Sequence, residues 1–270
     1  MTTKAPPRPE TEKTKGKIDP RIRARRAEVQ RTEGRKRLRR LGIVGIAVAV
    51  VAALWWLTLT PLLDVDSIRI QGATHTGDEA VLAAIGIERG DALLTVNVGG
   101  AASALAKLPW VATADVRRSW PGTVAVELVE RVPVAAIAAK GGGWVVVDRG
   151  GRQLAIEKEP AIELVRVAGR NLTPSLGGAA GETFQGALDL AAVIPPSMHA
   201  VVPSLWPKRD GTIEATVRVA DGRTATARFG VADQLEAKLV ALAAVLERAD
   251  LANVRIIDLR VPGAPALTRG

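Results

Sequence analysis

Few side chains in this 270-residue sequence could carry covalent chemistry. There are two histidines, His75 and His199, far apart in the chain and both in turn-like sequence, and there is no cysteine. Thiol catalysis, disulfides and cysteine-ligated zinc are therefore excluded. No H-E-x-x-H, G-x-S-x-G, P-loop or S-x-x-K word occurs. These would have marked a metalloprotease, serine hydrolase, nucleotide-binding enzyme or transpeptidase. Asp148, beside Gly150-Gly151, reads as a turn residue rather than a carboxylate catalyst. Glu130 and Arg131 read as solvated or locally paired charges, worth about 0–1 kcal/mol if exposed. The expectation is a protein that is not an enzyme, with no catalytic, cofactor-binding or metal-binding residue.

Such a chain can still bind other chains. An edge strand presents unpaired N–H and C=O groups to which a partner segment can add as a further strand. The elements that would position such edges divide around one stretch, Leu41 to Leu63, LGIVGIAVAVVAALWWLTLTPLL, which carries no charged side chain. At about 1.5 Å per residue a helix of this length spans about 35 Å, against roughly 30 Å for a hydrocarbon core. The competing cleaved signal peptide would have a shorter apolar region and a small-residue cleavage site. Here the run ends in Trp55-Trp56-Leu57. The stretch is predicted to be an uncleaved single-pass transmembrane helix, with Leu41 and Leu63 at its limits and Trp55 and Trp56 in the outer interfacial belt.

Residues 1–40 hold 15 Lys+Arg against 5 Asp+Glu, and the remaining 230 hold 22 against 23. The basic excess belongs to the N-terminal arm, so nucleic acid is not an expected partner. The arm reads as a largely disordered cytoplasmic tail whose charge sets topology, with contact to anionic lipid as the functional alternative. Residues 64–270 are then extracytoplasmic.

Beyond the stretch, Val65 to Ile70 ends in strand-like alternation. Thr76-Gly77-Asp78-Glu79 has the form of a capping box, opening a helix that buries Val81, Leu82 and Ile85. A second helix after Gly99-Gly100 places Ala101, Leu105 and Leu108 on one face, and Pro109 stops it. Two strands follow, Val111 to Arg117 and Thr123 to Glu130. A type II turn at Trp120-Pro121-Gly122-Thr123 joins them. The order β-α-α-β-β puts two helices over a three-stranded sheet.

The words Leu108-Pro109-Trp110-Val111, Arg117-Arg118-Ser119-Trp120-Pro121 and Glu130-Arg131-Val132-Pro133-Val134-Ala135 stand in this order after a basic tail and one span. With them the chain resembles the bacterial cell-division family FtsQ, called DivIB in some lineages, and residues 64–132 resemble its POTRA domain. The similarity continues through the Asp148 turn, Phe229-Gly230, the leucines from Leu235 to Leu246 and Ile257-Asp258-Leu259-Arg260.

From residue 133 the pattern is mainly β. Strands are predicted at 134–139, 144–147, 152–156 and 162–167, with a short helix near 188–194. Hairpins are marked by Asp210-Gly211 and Asp221-Gly222, the second between strands 212–219 and 223–229. One long helix, Val231 to Arg248, carries Asp233 in its first turn and a Leu235, Leu239, Leu242, Leu246 stripe. Strands at 253–261 and 266–268 follow. The fold class is α+β: a single transmembrane helix (41–63), a POTRA domain (64–132) and a mixed, mainly antiparallel β domain (133–270).

The resemblance implies a septal scaffold at the cytoplasmic membrane that binds FtsB- and FtsL-like division proteins through its last strands. By position the partner-binding residues would be Arg260, Val261, Ala266, Leu267 and Thr268, with Pro262 and Pro265 removing two donors. A POTRA-type polypeptide-transport or envelope-assembly component is the alternative. It is disfavoured because no membrane β-barrel pattern follows residue 132.

Overall fold

The computed structural model of the protein describes residues 39–53, 55–56, 64–219 and 222–270. The chain divides into two units, Met1–Leu62 and Leu63–Gly270. In the first, residues 39–53 and 55–56 are helical (α1), and every described side chain on it is exposed, including Leu41, Trp55 and Trp56. Among the described residues no helix is long and apolar enough to cross a membrane. Leu63 and the rest of 57–63 lie outside the described residues, as does the tail before residue 39.

The second body begins with β1 (Ser67–Gln71), α2 (Asp78–Ile85), α3 (Val98–Leu105), β2 (Val111–Ser119) and β3 (Thr123–Glu130). The sheet order is β1-β3-β2, with β1 parallel and β2 antiparallel to the central strand. Period-2 alternation sends Val124, Val126 and Leu128 to one face, where they form a core with Val81 and Ile85 of α2 and Ala101 and Leu105 of α3.

Two local expectations fail. Gly77, not Thr76, is the N-cap of α2 and makes no side-chain cap, because Thr76 is engaged elsewhere. The turn after β2 is not type II: the Trp120–Pro121 peptide is cis and Gly122 lacks the positive φ that the type requires. Gly122 answers to a close approach instead. Its carbonyl accepts from Asp66 N–H at 2.7 Å and Ser67 N–H at 3.2 Å, and a Cβ there would stand 2.8 Å from the Asp64 carbonyl oxygen.

A nine-stranded sheet follows, built from β4 (Pro133–Ala139), β5 (Trp144–Asp148), β6 (Gln153–Glu157), β7 (Val165–Leu172), β8 (Ser204–Pro207), β9 (Ile213–Arg218), β10 (Thr224–Gly230), β11 (Val254–Asp258) and β12 (Ala266–Arg269). Its order is β12-β11-β10-β9-β8-β7-β4-β5-β6. The pairs β10–β11, β7–β8 and β4–β7 are parallel and the rest antiparallel. Register carries one row of partners across most of it: Val145, Ile137, Val167, Leu205, Ala215, Ala227, Ile257 and Leu267. This row meets α4 (Glu182–Val193), through Phe184, Leu188 and Leu190, and α6 (Leu235–Arg248), through Leu239, Leu242 and Val245, in one continuous core. A short helix, α5 (Pro196–His199), follows α4. The neighbouring row faces the other way and reads Ala136, Arg166, Ser204, Thr216, Thr226, Ile256 and Thr268.

Three boundaries differ from expectation. The strand expected at 162–167 starts at Val165, because a turn closed by Leu164 N–H on the Ala161 carbonyl (3.1 Å) leaves Ile162 93% exposed. The helix near 188–194 spans twelve residues, so the domain has two substantial helices rather than one. The helix expected from Val231 starts at Leu235. Buried Lys238 reaches back to the Val231 carbonyl (3.0 Å) and to Asp233, holding residues 231–234 as a loop.

Candidate functional site

β12 is the last strand of the large sheet and pairs only with β11, antiparallel, through Asp258↔Ala266, Ile257↔Leu267 and Ile256↔Thr268. In such a ladder alternate residues turn their N–H and C=O away from the partner, so among the described residues β12 keeps an open outer side. Leu267 belongs to the row that meets the helices and packs on the core, whereas Ala266 and Thr268 are exposed. The structure thus brings Ala266, Leu267 and Thr268 together on one edge.

Arg260 and Val261 do not lie on a strand. The strand expected at 253–261 ends at Asp258, whose carboxylate accepts from Arg260 N–H (3.1 Å), Nε (3.0 Å) and Nη2 (2.6 Å). The Arg260 hydrogen bond holds that carboxyl below its usual range, against the opposing effect of its burial. Ala264 N–H then closes a turn on the Val261 carbonyl at 3.1 Å and leaves the Val261 side chain 62% exposed. Both prolines fall in this connection and outside β12, so they remove no donor from the edge itself.

A ladder of opposite charges leads to this edge across the face away from the helices. Lys208 pairs with Glu214 (2.8 Å) and Arg228 with Glu214 (3.6 Å), Arg228 lies opposite Asp258, and Asp258 holds Arg260. The sheet's other end, β6, is partly covered: Gln153 N–H donates to the Gly178 carbonyl (2.9 Å) and the Gln153 carbonyl accepts from Gly177 N–H (2.8 Å), while Ile156 further along is 50% exposed.

Of the two readings expected for Glu130, solvated or locally paired, the structure shows the paired one, and the side chain is largely buried. At the end of β3 its carboxylate accepts from the N–H groups of His75 (2.9 Å) and Thr76 (2.7 Å), from Thr76 Oγ1 (2.7 Å) and from His75 Nδ1 (2.9 Å). Burial alone would raise its pKa, but these donors outweigh it and bring it to about 2. The His75 ring stacks on Trp110 with centroids 4.3 Å apart.

Arg131 begins the joint to the large sheet. It donates to the Val111 carbonyl (3.1 Å) and to Asp148 (2.8 Å). Asp148 is a turn residue as expected, accepting from Arg152 N–H at 2.8 Å, and it is 7% exposed. The Arg152 guanidinium reaches the carbonyls of Lys107 (3.0 Å), Leu108 (3.2 Å) and Pro109 (3.3 Å), in the segment beyond α3. Sequence proximity concealed these roles; the only signal was the Glu130-Arg131-Val132-Pro133 word itself. His199 is structural, with Nε2 3.1 Å from the Ile194 carbonyl. No group of three or more His, Asp or Glu among the described residues could hold a metal ion.

A sequence-family profile described as the POTRA domain, FtsQ-type, matches residues 63–131. The cell division protein FtsQ of Corynebacterium glutamicum is 35% identical over 129 residues, 48% of this chain and 56% of that protein. The cell division protein FtsQ of Mycolicibacterium smegmatis is 29% identical over 201 residues, 74% of this chain and 57% of its own length. The chain therefore spans little more than half the length of these relatives. Among solved structures, the major extracytoplasmic domain of DivIB from Geobacillus stearothermophilus aligns with 45% of this chain and 98% of its own, at 17% identity and a TM-score of 0.30. The class is a POTRA-containing α+β protein with a mixed sheet. Residues 63–131 match the FtsQ-type POTRA domain, and the chain as a whole is similar to cell division proteins named FtsQ.

Proposed function

We propose that this protein is a non-enzymatic scaffold of the division septum. Its POTRA domain (64–132) and β domain (133–270) stand outside the cytoplasmic membrane, held by a single span at 41–63 with the basic N-terminus inside. Two features support the anchor: the uncharged 23-residue stretch, and the exposure on α1 of apolar side chains such as Ile43, Ile46 and Trp55, a surface that favours lipid or protein cover over water. Anchoring confines its partners to one plane and so raises their effective concentration. A fluorescent fusion tests the assignment. A mid-cell ring is expected, whereas uniform envelope signal would favour the transport or assembly alternative.

The partner site in this reading is the open outer side of β12, where an FtsB- or FtsL-like segment adds as a tenth strand. The observation that carries it is the unpaired strand edge beside exposed Val261, Ala266 and Thr268. Leu267 packs on the core, so a charge there would mix loss of binding with loss of stability. Val261→Glu and Ala266→Glu are the cleaner tests. Each is expected to reduce pull-down of the FtsB-like partner at least tenfold while the circular dichroism spectrum stays unchanged. Full binding by both variants would sink the assignment.

A further inference from the structure

Two arginines converge on one small cavity at the end of the large sheet. Arg166 stands near the start of β7 and Arg218 ends β9, and both line a pocket of about 210 Å³ together with His199, Ile162, Leu164 and Pro203. Register sets them on the face away from the helices. Arg166 lies opposite Ser204, Ser204 opposite Thr216, and Arg218 follows Thr216 by two residues. Their α-carbons are therefore about 10 Å apart across two strand spacings and about 7 Å offset along the strands.

Both arginines are tied to one segment. Arg166 N–H donates to the Pro203 carbonyl (3.2 Å) and Arg218 N–H to the Val201 carbonyl (2.8 Å). The Arg166 guanidinium also lies over the Trp144 ring, 5.4 Å from its centroid, a cation–π contact that restricts where it points. Neither guanidinium forms an ion pair among the described residues, and no carboxylate lines the pocket. Glu163, three residues before Arg166, is exposed and pairs with neither. His199 adds an unsatisfied group. Its Nε2 is engaged by the Ile194 carbonyl, and its Nδ1 is buried without a hydrogen-bond partner among the described residues. The rim is apolar, and the turn before β7 holds Ile162 out at 93% exposure.

We propose that this pocket receives a carboxylate side chain of a partner protein, an Asp or Glu beside an apolar residue. Pockets that enclose whole small molecules measure about 300–1,000 Å³, whereas this one has room for a side chain. The carboxylate would bridge Arg166 and Arg218 through charge-assisted hydrogen bonds and relieve their mutual repulsion. The apolar neighbour would cover Ile162 and Leu164. A bare phosphate would satisfy the arginines and leave Ile162 in water, so the rim favours a polypeptide. The pocket shares no residue with the β12 edge, three strand spacings from β9, and does not rest on it.

The probes are a fluorescein-labelled peptide, Gly-Gly-Leu-Glu-Val-Gly-amide, its counterpart with Gln for Glu, and inorganic phosphate, each with the full-length protein. By fluorescence anisotropy the Glu peptide is expected to bind at least tenfold more tightly than the Gln peptide. Arg166→Ala and Arg218→Ala, both at exposed positions, should each weaken the Glu peptide at least tenfold with an unchanged circular dichroism spectrum. Ile162→Ser should weaken it severalfold, and Val261→Glu should leave it unchanged. Equal affinity for the two peptides, no binding of the Glu peptide, or full binding by both arginine variants would overturn the proposal. So would displacement of the peptide by phosphate while Ile162→Ser binds as the wild type does, since the pocket would then serve a bare anion.

Discussion

Glu130 gathers four donors from two residues more than fifty positions earlier in the chain. Its folded pKa of about 2 lies below the ordinary 4.5, so the stabilisation is complete above about pH 4.5 and is lost as pH falls toward 2. Glu130→Gln is expected to cost about 1.5–3 kcal/mol at neutral pH, the range for hydrogen bonds to a charged group. Urea denaturation should show wild type and variant converging as pH approaches 2, and a gap that persists there would mean that something other than the charge holds the 75–76 loop. None of this was legible in the sequence. Thr76 satisfies the pattern of a helix cap, and only the fold brings a better acceptor to its hydroxyl. Asp148 was legible as a turn residue because its Gly150-Gly151 neighbours are local; its bond to Arg131 is not.

Among the elements, those defined by periodicity were legible and those defined by long-range contact were not. Alternation located β3 and β5 to within a residue or so, because one buried face imposes a period of two. The leucine stripe identified α6 as a core helix, and Leu239 and Leu242 are indeed buried in it. It starts four residues later than expected, because nothing local shows that a side chain inside the helix holds residues 231–234 as a loop. That side chain is Lys238, 1% exposed, which tethers the loop before it. Lys238→Met keeps the bulk and removes the tether. It is expected to change global stability little while speeding amide exchange at 231–235 severalfold; unchanged exchange would show that the loop holds without the ammonium.

For the molecule as a whole, the joint between the small and large sheets runs from Arg131 through Asp148 to the Arg152 backbone N–H, and the Arg152 guanidinium carries it on to the carbonyls of residues 107–109 beyond α3. Arg152→Ala removes those bonds and leaves the carbonyls of residues 107–109 without this donor, an expected loss of about 1–3 kcal/mol. Calorimetry should then resolve two transitions for residues 64–270 where the wild type shows one, and a single unshifted transition would deny the joint that role. The order of the large sheet was the least legible feature. Its parallel β4–β7 and β10–β11 pairs join strands separated by other elements, and no local pattern encodes them. That order has a geometric result. Six strand spacings separate β4, where the chain leaves the joint, from β12, a distance of about 29 Å at roughly 4.8 Å per step. Sheets also rotate by about 20–25° per strand, so β12 is turned by roughly 120–150° relative to β4. A segment laid along β12 therefore runs on a heading set by six accumulated rotations. Removing or inserting one strand of the sheet would re-aim whatever is bound there without altering a single residue that touches it.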